Sequence, residues 1–227
     1  MLLLVTQGMP QMRQHAHPSL GRLLTPRHYP NLEEMHGLRW AADNDCFQGL
    51  HERRWRTMLE SIEHASGRCL FVVVPDKVAD AEATAAMFER YHDDVRRHGL
   101  PVALVAQDGL EDMSGWLART WPRIDALFIG RGDDFKLGPA AASIVAEAKR
   151  RRKWVHMGRV NSERRIRYAA SIGCDSIDAT KWVRWRDIYL NAGLAATAAA
   201  PQLRLDAIEA QTGLGEIACT AAPQLGL

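Results

Sequence analysis

Polar side chains stand at the downstream ends of four short apolar runs in this chain. They are Asp43 after LRWAA, Asp76 after LFVVVP, Gln107 after VALVA, and Asp178 at the end of GCDSID. In a barrel of parallel strands, all strand C-termini open on one face, and that face is where chemistry is done. We therefore expect these four side chains to converge on one pocket.

Two of these carboxylates suit covalent catalysis on a sugar. Asp178, at a strand end, can attack an anomeric carbon and form a covalent glycosyl-enzyme. A second carboxylate then serves as acid and base, as in retaining glycosidases, and Asp43 is the natural second residue. Asp175 and Asp178 together bracket this short strand. A simpler alternative stays open, in which each aspartate caps a helix. Asp43 would cap the helix that begins near Gly49, and Asp76 would cap the helix that follows Asp76.

Other residues near the strand ends suit a pocket for a planar heterocycle. Phe47 could stack on a ring, and the Gln107 amide offers the donor and acceptor that reading a base edge requires. Gly130 permits close approach of backbone to ligand. Met157, followed by Gly158, could lie flat against a ring. On local evidence alone, a loop glutamine, a plain turn and a core methionine remain open alternatives.

Basic residues with interleaved tryptophans accumulate in the second half of the chain. Such a pattern suits a nucleic-acid backbone. Arg131, Arg159, Lys181 and Arg184 lie near strand ends and are the phosphate-binding candidates. The basic run 149–153 ends a predicted helix, where a solvated face that compensates the helix dipole is the alternative.

The composition is that of an ordinary globular α/β domain, with 47% apolar residues, 25% charged residues and a net charge of +2. This weakly basic balance neither requires nor excludes a nucleic-acid partner. No run approaches the ~20 apolar residues of a membrane span, and the start lacks a basic signal-peptide region, so we expect a cytoplasmic protein without a membrane partner. The four cysteines are far apart and lack zinc spacing, so we expect reduced thiols, no metal and no cofactor.

Apolar runs of strand length alternate with helical patterns and predict an α/β fold, a compact (β/α)8 TIM-like barrel. An open doubly wound sheet is the alternative, although no GxGxxG turn follows an early strand. The N-terminus is irregular, since residues 8–23 are not clearly helical. Ser162 is expected as an N-cap and Gly173 just beyond a helix end. We assign residues 1–192 to the barrel and 193–227 to an Ala-rich helix and tail. Strands are predicted at 2–6, 23–26, 38–43, 69–76, 101–107, 126–130, 154–158 and 176–180, and helices at 49–65, 80–98, 111–121, 139–152, 162–172 and 203–211.

Taken in order, these motifs resemble those of the tRNA-guanine transglycosylase superfamily. The DSGGFQ-type motif of the family is similar to DNDCFQ at residues 43–48. Its base-reading aspartate is similar to Asp76, and the glutamine of its VQGG-type motif to Gln107. Further along, its GGLAVGE-type loop is similar to the segment from Gly130.

The remaining motifs lie toward the end of the barrel. A Met-Gly pair of the family resembles Met157-Gly158, and its GxDxFD nucleophile motif is similar to GCDSID at 173–178. The ordered set, each member at a strand end, spans roughly residues 38–180.

The resemblance implies a barrel that exchanges guanine for a 7-deazaguanine base without a cofactor. Asp178 would be the nucleophile and Asp43 the general acid and base. Phe47 and Met157 would stack on the two faces of the base. The residues that would bind the base are Asp76, Gln107, Gly130, Phe47, Met157 and Gly158.

Departures from the family pattern bear on the substrate. The tRNA-acting members carry a zinc site with a Cys-rich motif; this chain has none and is far shorter. Asp45 and Cys46 replace two glycines of the first motif, and Arg131 replaces the second glycine of the base loop. The short form resembles most the phage and bacterial branch that inserts 7-deazaguanine derivatives into DNA. The implied partners are guanine-containing DNA and a free 7-deazaguanine base, in the host cytoplasm if the protein is phage-encoded.

Other functions remain open at this point. The same exchange could act on tRNA or on a free nucleoside. Alternatively, the scaffold could be a catalytically silent accessory subunit that binds nucleic acid.

Overall fold

Parallel strands close into a barrel in sequence order, and β8 pairs back onto β1. The computed structural model describes residues 1–6, 17–29, 37–130, 132–179 and 187–199. Each predicted strand overlaps an observed one, and closure excludes the open doubly wound sheet, so the predicted (β/α)8 barrel is confirmed. The second strand begins at Leu20, three residues before its predicted start at residue 23. The strands are β1 (Leu2–Val5), β2 (Leu20–Leu24), β3 (Trp40–Ala42), β4 (Cys69–Val73), β5 (Val102–Ala106), β6 (Ala126–Ile129), β7 (Trp154–Met157) and β8 (Ser176–Asp178).

Helices follow the strands and cover the barrel. In the described ranges they are α1 (Glu52–Ile62), α2 (Ala81–Arg97), α3 (Ser114–Thr120), α4 (Asp133–Lys136), α5 (Pro139–Arg150), α6 (Glu163–Ser171) and α7 (Asp187–Ala199). The short helix α4 was not predicted, because its four residues are too few for a periodic pattern. No helix in these ranges is long and apolar enough to cross a membrane.

Helix α7 crosses the predicted domain boundary. It runs through the expected division between residues 192 and 193 and contacts α6 and β1. Leu194 and Thr197 are buried there. The helix therefore packs on the barrel, and its course crosses the expected boundary after residue 192. The helix predicted at 203–211 lies outside the described residues.

Local hydrogen bonds explain where two helices begin and one ends. The Asp80 carboxylate accepts from the Ala83 amide at 2.9 Å and caps α2. Ser162 caps α6 in the same way, because its hydroxyl oxygen accepts from the Arg165 amide at 3.3 Å. Gly173 follows α6 with φ +98°, a left-handed conformation that favours glycine. The predicted roles of Ser162 and Gly173 are therefore confirmed.

In most strands, alternate residues enter two separate apolar clusters, as the period of a β-strand requires. In β5, Ala103 and Val105 join a cluster made of strand residues alone, which fills the barrel interior. Leu104 joins a second cluster that includes helix residues and therefore lies between the barrel and its helices. This alternation decides which side chains of each strand can reach the barrel mouth.

Candidate active site at the barrel mouth

A cavity of about 550 Å³ opens at the C-terminal ends of the strands. Its size falls within the range of small-molecule sites. Asp43, Asp76, Gln107 and Asp178 all line it, so the structure brings together the four side chains expected to converge.

Asp76 lies at the centre of a buried hydrogen-bond network. Asn44 Nδ2 donates to Asp76 Oδ1 at 2.7 Å and to the Val74 carbonyl at 2.8 Å. Gln107 Nε2 donates to Asp76 Oδ2 at 2.6 Å, and the Ala79 amide donates to Gln107 Oε1 at 3.1 Å. Burial raises the pKa of Asp76, although the bonds from Asn44 and Gln107 oppose that rise. Since the Gln107 oxygen is already bonded, its amide can meet a ligand with its second hydrogen as a donor.

Asp43 has the protonation behaviour of a general acid and base. Burial raises its pKa to about 7, and the negative charges of Asp178 and Asp76 contribute to the rise. The Asn44 amide donates to Asp43 Oδ1 at 2.8 Å, which favours the charged form but does not cancel the rise. Near neutral pH, Asp43 can therefore both give and accept a proton.

Neither Asp43 nor Asp76 caps a helix, so that alternative is excluded. Helix α1 begins after His51, whose side chain makes no capping bond. Helix α2 is capped by Asp80. Both cavity carboxylates are thus available for a role at the barrel mouth.

The Asp178 carboxylate is held through both oxygens. The Arg159 amide donates to Oδ1 at 3.2 Å, and His156 Nε2 lies 3.0 Å from Oδ2. His156 is completely buried and was not predicted as a site residue. Its signal in the sequence is a histidine inside the apolar run WVHM, where a buried polar ring requires partners.

Met157 does not occupy the predicted stacking position. It is fully buried in the cluster between barrel and helices and is not among the cavity-lining residues. The register pairs Ile129 with Met157 and Phe128 with His156, so the latter pair faces the barrel interior. Phe128 lines the cavity in its place and supplies an aromatic wall that was not predicted.

Gly130 lines the cavity, and a side chain would not fit there. A Cβ at this position would lie 2.9 Å from Val105 Cγ1 and 3.0 Å from Gln107 Nε2. The Gly130 N–H donates to the Ala106 carbonyl at 3.1 Å. Gly130 therefore makes room for Gln107, while its own N–H continues the pairing of β5 and β6.

The segment after β7 is fixed from two sides. Lys136 Nζ donates to the Gly158 carbonyl at 2.9 Å, and burial lowers the pKa of this lysine. A Cβ at Gly158 would lie 3.0 Å from Phe128 Cε1 and 3.3 Å from Asp178 Oδ2. Gly158 lines the cavity as predicted, and the need for a glycine there is steric. Lys136, from the unpredicted helix α4, was missed as a supporting residue.

Aromatic and cationic groups form the rim of the cavity. Phe47 is 56% exposed, and the Arg159 guanidinium lies 4.1 Å from its ring centroid. Arg27 also lines the cavity and pairs with Asp45 at 2.7 Å. Asp45 adopts φ +55°, a left-handed conformation that is uncommon for residues other than glycine. The other predicted phosphate-binding residues, Arg131, Lys181 and Arg184, lie outside the described residues.

The basic run 149–153 makes structural contacts at the opposite end of the barrel. Lys149 Nζ binds the Asp175 carboxylate at 2.6 Å and 2.8 Å, and Lys153 Nζ donates to the Ile124 carbonyl at 2.7 Å. Asp175 also accepts from the Val155 amide at 2.8 Å. Asp175 and Asp178 thus bracket β8 as expected, but only Asp178 lines the cavity.

Among the described residues, no cluster of three or more His, Cys, Asp or Glu side chains could hold a metal ion. Cys46, Cys69 and Cys174 carry free thiols. Cys46 lines the cavity, but burial raises its pKa to about 12, so it is a thiol near neutral pH and a poor nucleophile.

No family model matches the chain, and no curated protein matches it. Solved structures do. A mandelate oxidase mutant with benzaldehyde matches with a TM-score of 0.52 and 16% identity over 93% of this chain and 70% of that chain. Native KDPGal matches with a TM-score of 0.51 and 12% identity over 88% of this chain and 93% of that chain. Another mandelate oxidase mutant, with a C4a-OH-FMN adduct, has a TM-score of 0.47, and this chain spans 63% of its length. At these identities the likeness shows the fold alone.

Proposed function

We propose that this protein is an enzyme that replaces guanine in DNA with a 7-deazaguanine base through a covalent intermediate on Asp178. The proposal rests chiefly on one observation: Asp178 and Asp43 line the same cavity and interact electrostatically there. The ordered motifs of the tRNA-guanine transglycosylase superfamily supply the reaction class. No metal or cofactor takes part in the proposed steps.

The first half-reaction breaks the bond between guanine and sugar. An Asp178 oxygen attacks C1′ of a deoxyguanosine as the C1′–N9 bond breaks, and that electron pair leaves with the base. Asp43, in its acid form, donates its proton to a ring nitrogen of the departing guanine. The products are free guanine, a glycosyl ester on Asp178 and an ionised Asp43.

The second half-reaction reverses these roles with a different base. The Asp43 carboxylate removes the N9 proton of the incoming 7-deazaguanine, and N9 attacks C1′. The ester bond breaks, its electron pair returns to the Asp178 carboxylate, and Asp43 again holds a proton. Two inversions retain the configuration at C1′. A pKa of about 7 suits a group that must hold a proton in one half-reaction and release it in the other.

Base recognition is assigned to the network around Asp76. The Asp76 carboxylate can accept from N–H groups on the base, and Gln107 can donate to a carbonyl oxygen with its second amide hydrogen. Phe128 and the exposed Phe47 offer apolar ring surfaces on the cavity wall. A guanine-type base, with adjacent N–H donors and a carbonyl acceptor, complements this arrangement.

DNA is the preferred substrate because the motifs are most similar to the short branch that modifies DNA. A base in a duplex must be flipped out, or met as a single strand, before Asp178 reaches C1′. Arg159 at the rim, beside Phe47, supplies positive charge for the flanking phosphates.

The proposal is tested by mass analysis of nucleosides after incubation with candidate 7-deazaguanine bases. Parallel reactions contain single-stranded DNA, duplex DNA, tRNA or guanosine. We expect 7-deazaguanine deoxynucleosides from DNA, and a covalent protein–DNA adduct that Asp178→Ala abolishes. The matched control is Asp112→Asn, since Asp112 is exposed and lies outside the cavity. Exchange only in tRNA or guanosine would overturn the choice of DNA, and undiminished exchange by Asp178→Ala would overturn the mechanism.

A further inference from the structure

A chain of hydrogen-bonded side chains crosses the barrel interior from Trp154 and ends on Asp178. Trp154 Nε1 lies 2.8 Å from Ser176 Oγ, and the same oxygen lies 2.9 Å from His156 Nδ1. His156 Nε2 lies 3.0 Å from Asp178 Oδ2. Ser176 and His156 are completely buried, so each of their polar atoms requires a partner within the protein.

The two ends of this hydrogen-bond chain fix the direction of its bonds, because the indole N–H of Trp154 only donates and the ionised Asp178 carboxylate only accepts. The indole N–H of Trp154 can only donate, so Ser176 Oγ accepts from it. The single hydroxyl hydrogen of Ser176 is then free to donate to His156 Nδ1. Because the ionised Asp178 carboxylate only accepts, His156 Nε2 carries a proton and donates it to Asp178; in the neutral imidazole Nδ1 then carries none and accepts from Ser176.

Two aromatic rings pack against the imidazole of His156 and also restrain its plane. The Phe128 and Phe71 ring centroids lie 4.6 Å and 5.2 Å from that of His156. Arg159 holds the other carboxylate oxygen of Asp178 through its backbone amide. The carboxylate is therefore fixed by two donors that approach from different elements, β7 and the segment after it.

We infer that His156 is a positioning residue, held as the neutral Nε2–H tautomer by Ser176 and Trp154, which aims the Asp178 carboxylate at the reacting carbon. The kinetic part of this inference rests on the proposed function. A neutral donor orients the carboxylate without placing a full positive charge against it, so the oxygen stays nucleophilic. Ser176 and Trp154 do not contact the Asp178 carboxylate directly, and they act on it only through the imidazole of His156.

The tautomer can be tested without any activity. In ¹⁵N NMR of the full chain, with the His156 signals assigned by their loss in His156→Gln, we expect a protonated nitrogen at Nε2 and an unprotonated nitrogen at Nδ1. In Ser176→Ala, the hydrogen-bond donor to Nδ1 is lost, so we expect the Nδ1 signal to shift while Nε2 keeps its proton against Asp178. A proton on Nδ1 in the native protein would overturn the inference, whether or not the protein exchanges bases.

The positioning role is tested by the split between kcat and KM. We expect His156→Phe to lower kcat roughly 10- to 100-fold and to change the KM of the incoming base by less than about 2-fold, because misplacement of a nucleophile affects the chemical step. His156→Gln keeps a donor near the Nε2 position and should recover part of the loss. Ser176→Ala, which keeps the imidazole, should lower kcat less than His156→Phe.

The two levels of the proposal fail in different ways. Unchanged kcat in His156→Phe, with exchange by the native protein, would overturn the positioning role alone. Absence of exchange by the native protein on every substrate would overturn the proposed function, while the NMR result would still decide the hydrogen-bond chain. Should His156→Phe fail to fold, as judged by near-UV circular dichroism, the Ser176→Ala kinetics and the His156 ¹⁵N signals of the native protein carry the test.

Discussion

The Gln107 Nε2 atom lies 2.6 Å from Asp76 Oδ2, and this bond joins the ends of neighbouring strands β4 and β5. Asn44 Nδ2 contacts the other Asp76 oxygen at 2.7 Å. Two amide donors thus converge on one carboxylate in a site that is almost closed to solvent. Both Asp76 oxygens must therefore accept a hydrogen bond, and the ionised carboxylate is the form in which both only accept.

We predict that Asp76→Asn both destabilises the protein and weakens base binding. The new amide places a donor against Asn44 or Gln107, so at least one buried donor loses its partner, at a cost of roughly 1–3 kcal/mol in unfolding free energy. Binding of the free 7-deazaguanine base should weaken, because the new side chain cannot accept on both sides. Urea unfolding and calorimetric titration of the base measure the two effects. Asp112→Asn is the exposed control, and equal effects in both variants would contradict this role for Asp76.

The raised pKa of Asp43 predicts how stability depends on pH. Its pKa is near 4 in the unfolded chain and about 7 in the folded protein. As the pH rises, the unfolded state loses this proton first. The stabilisation that protonated Asp43 gives the folded state is therefore complete below about pH 4 and is lost as the pH rises through the folded pKa of about 7. The loss should reach roughly 2–4 kcal/mol. Urea unfolding between pH 4 and 8 should show a smaller loss in Asp43→Asn than in the native protein.

A second variant checks the cause of that pKa. The Asp178 charge contributes to the raised pKa of Asp43, so Asp178→Asn should lower the pKa of Asp43. Titration of the Asp43 carboxyl carbon by ¹³C NMR measures the change. An unchanged pKa would show that the Asp178 charge does not contribute to the rise.

The strands could be predicted from the sequence because each is a short apolar run with a polar residue or turn at its end. Asp43, Asp76, Gln107 and Asp178 were found for the same reason, since strand C-termini share one face. The placement of Phe128 and Met157 required more. Which of two adjacent strand residues faces inward depends on register, and a shift of one residue exchanges the two faces. An apolar run on its own does not indicate which of its residues face the barrel interior.

The supporting residues are long-range contacts, which explains why local patterns did not reveal them. Lys136 reaches the Gly158 carbonyl from a helix of four residues, and His156 meets Ser176 twenty positions later. The start of helix α7 before residue 193 was not predicted for a related reason. Helix α7 is rich in alanine and has little polar contrast, so its packing against β1 is set by the closed barrel rather than by its own pattern.

The two aspartates that bracket β8 should separate stability from activity. Asp175 binds Lys149 and the Val155 amide at the base of the barrel, whereas Asp178 lines the cavity. We predict that Asp175→Ala lowers the unfolding free energy by about 1–3 kcal/mol and leaves kcat within about 2-fold of native. Asp178→Asn should abolish exchange with a much smaller loss of stability. Urea unfolding and exchange kinetics on the two variants measure this contrast, and loss of exchange in folded Asp175→Ala would contradict it.

Gly130 should be the glycine whose replacement most directly affects base recognition. In Gly130→Ala, the new methyl group would lie 3.0 Å from Gln107 Nε2 and 2.9 Å from Val105 Cγ1, so these side chains must move. Displacement of Gln107 breaks or lengthens its bond to Asp76. We therefore expect weaker base binding and an unfolding free energy lower by about 1–3 kcal/mol.

Gly115→Ala is the matched control for that substitution. Gly115 lies in α3, and the nearest atom to its new Cβ is the end of the Arg119 side chain at 4.0 Å. Alanine is the better helix former, so this variant should gain about 0.5–1 kcal/mol in unfolding free energy and bind the base as the native protein does. Calorimetric titration and urea unfolding of the two variants give the comparison. If Gly130→Ala binds the base with native affinity, the Gln107 amide can shift without loss, and its bond to Asp76 does not set base recognition.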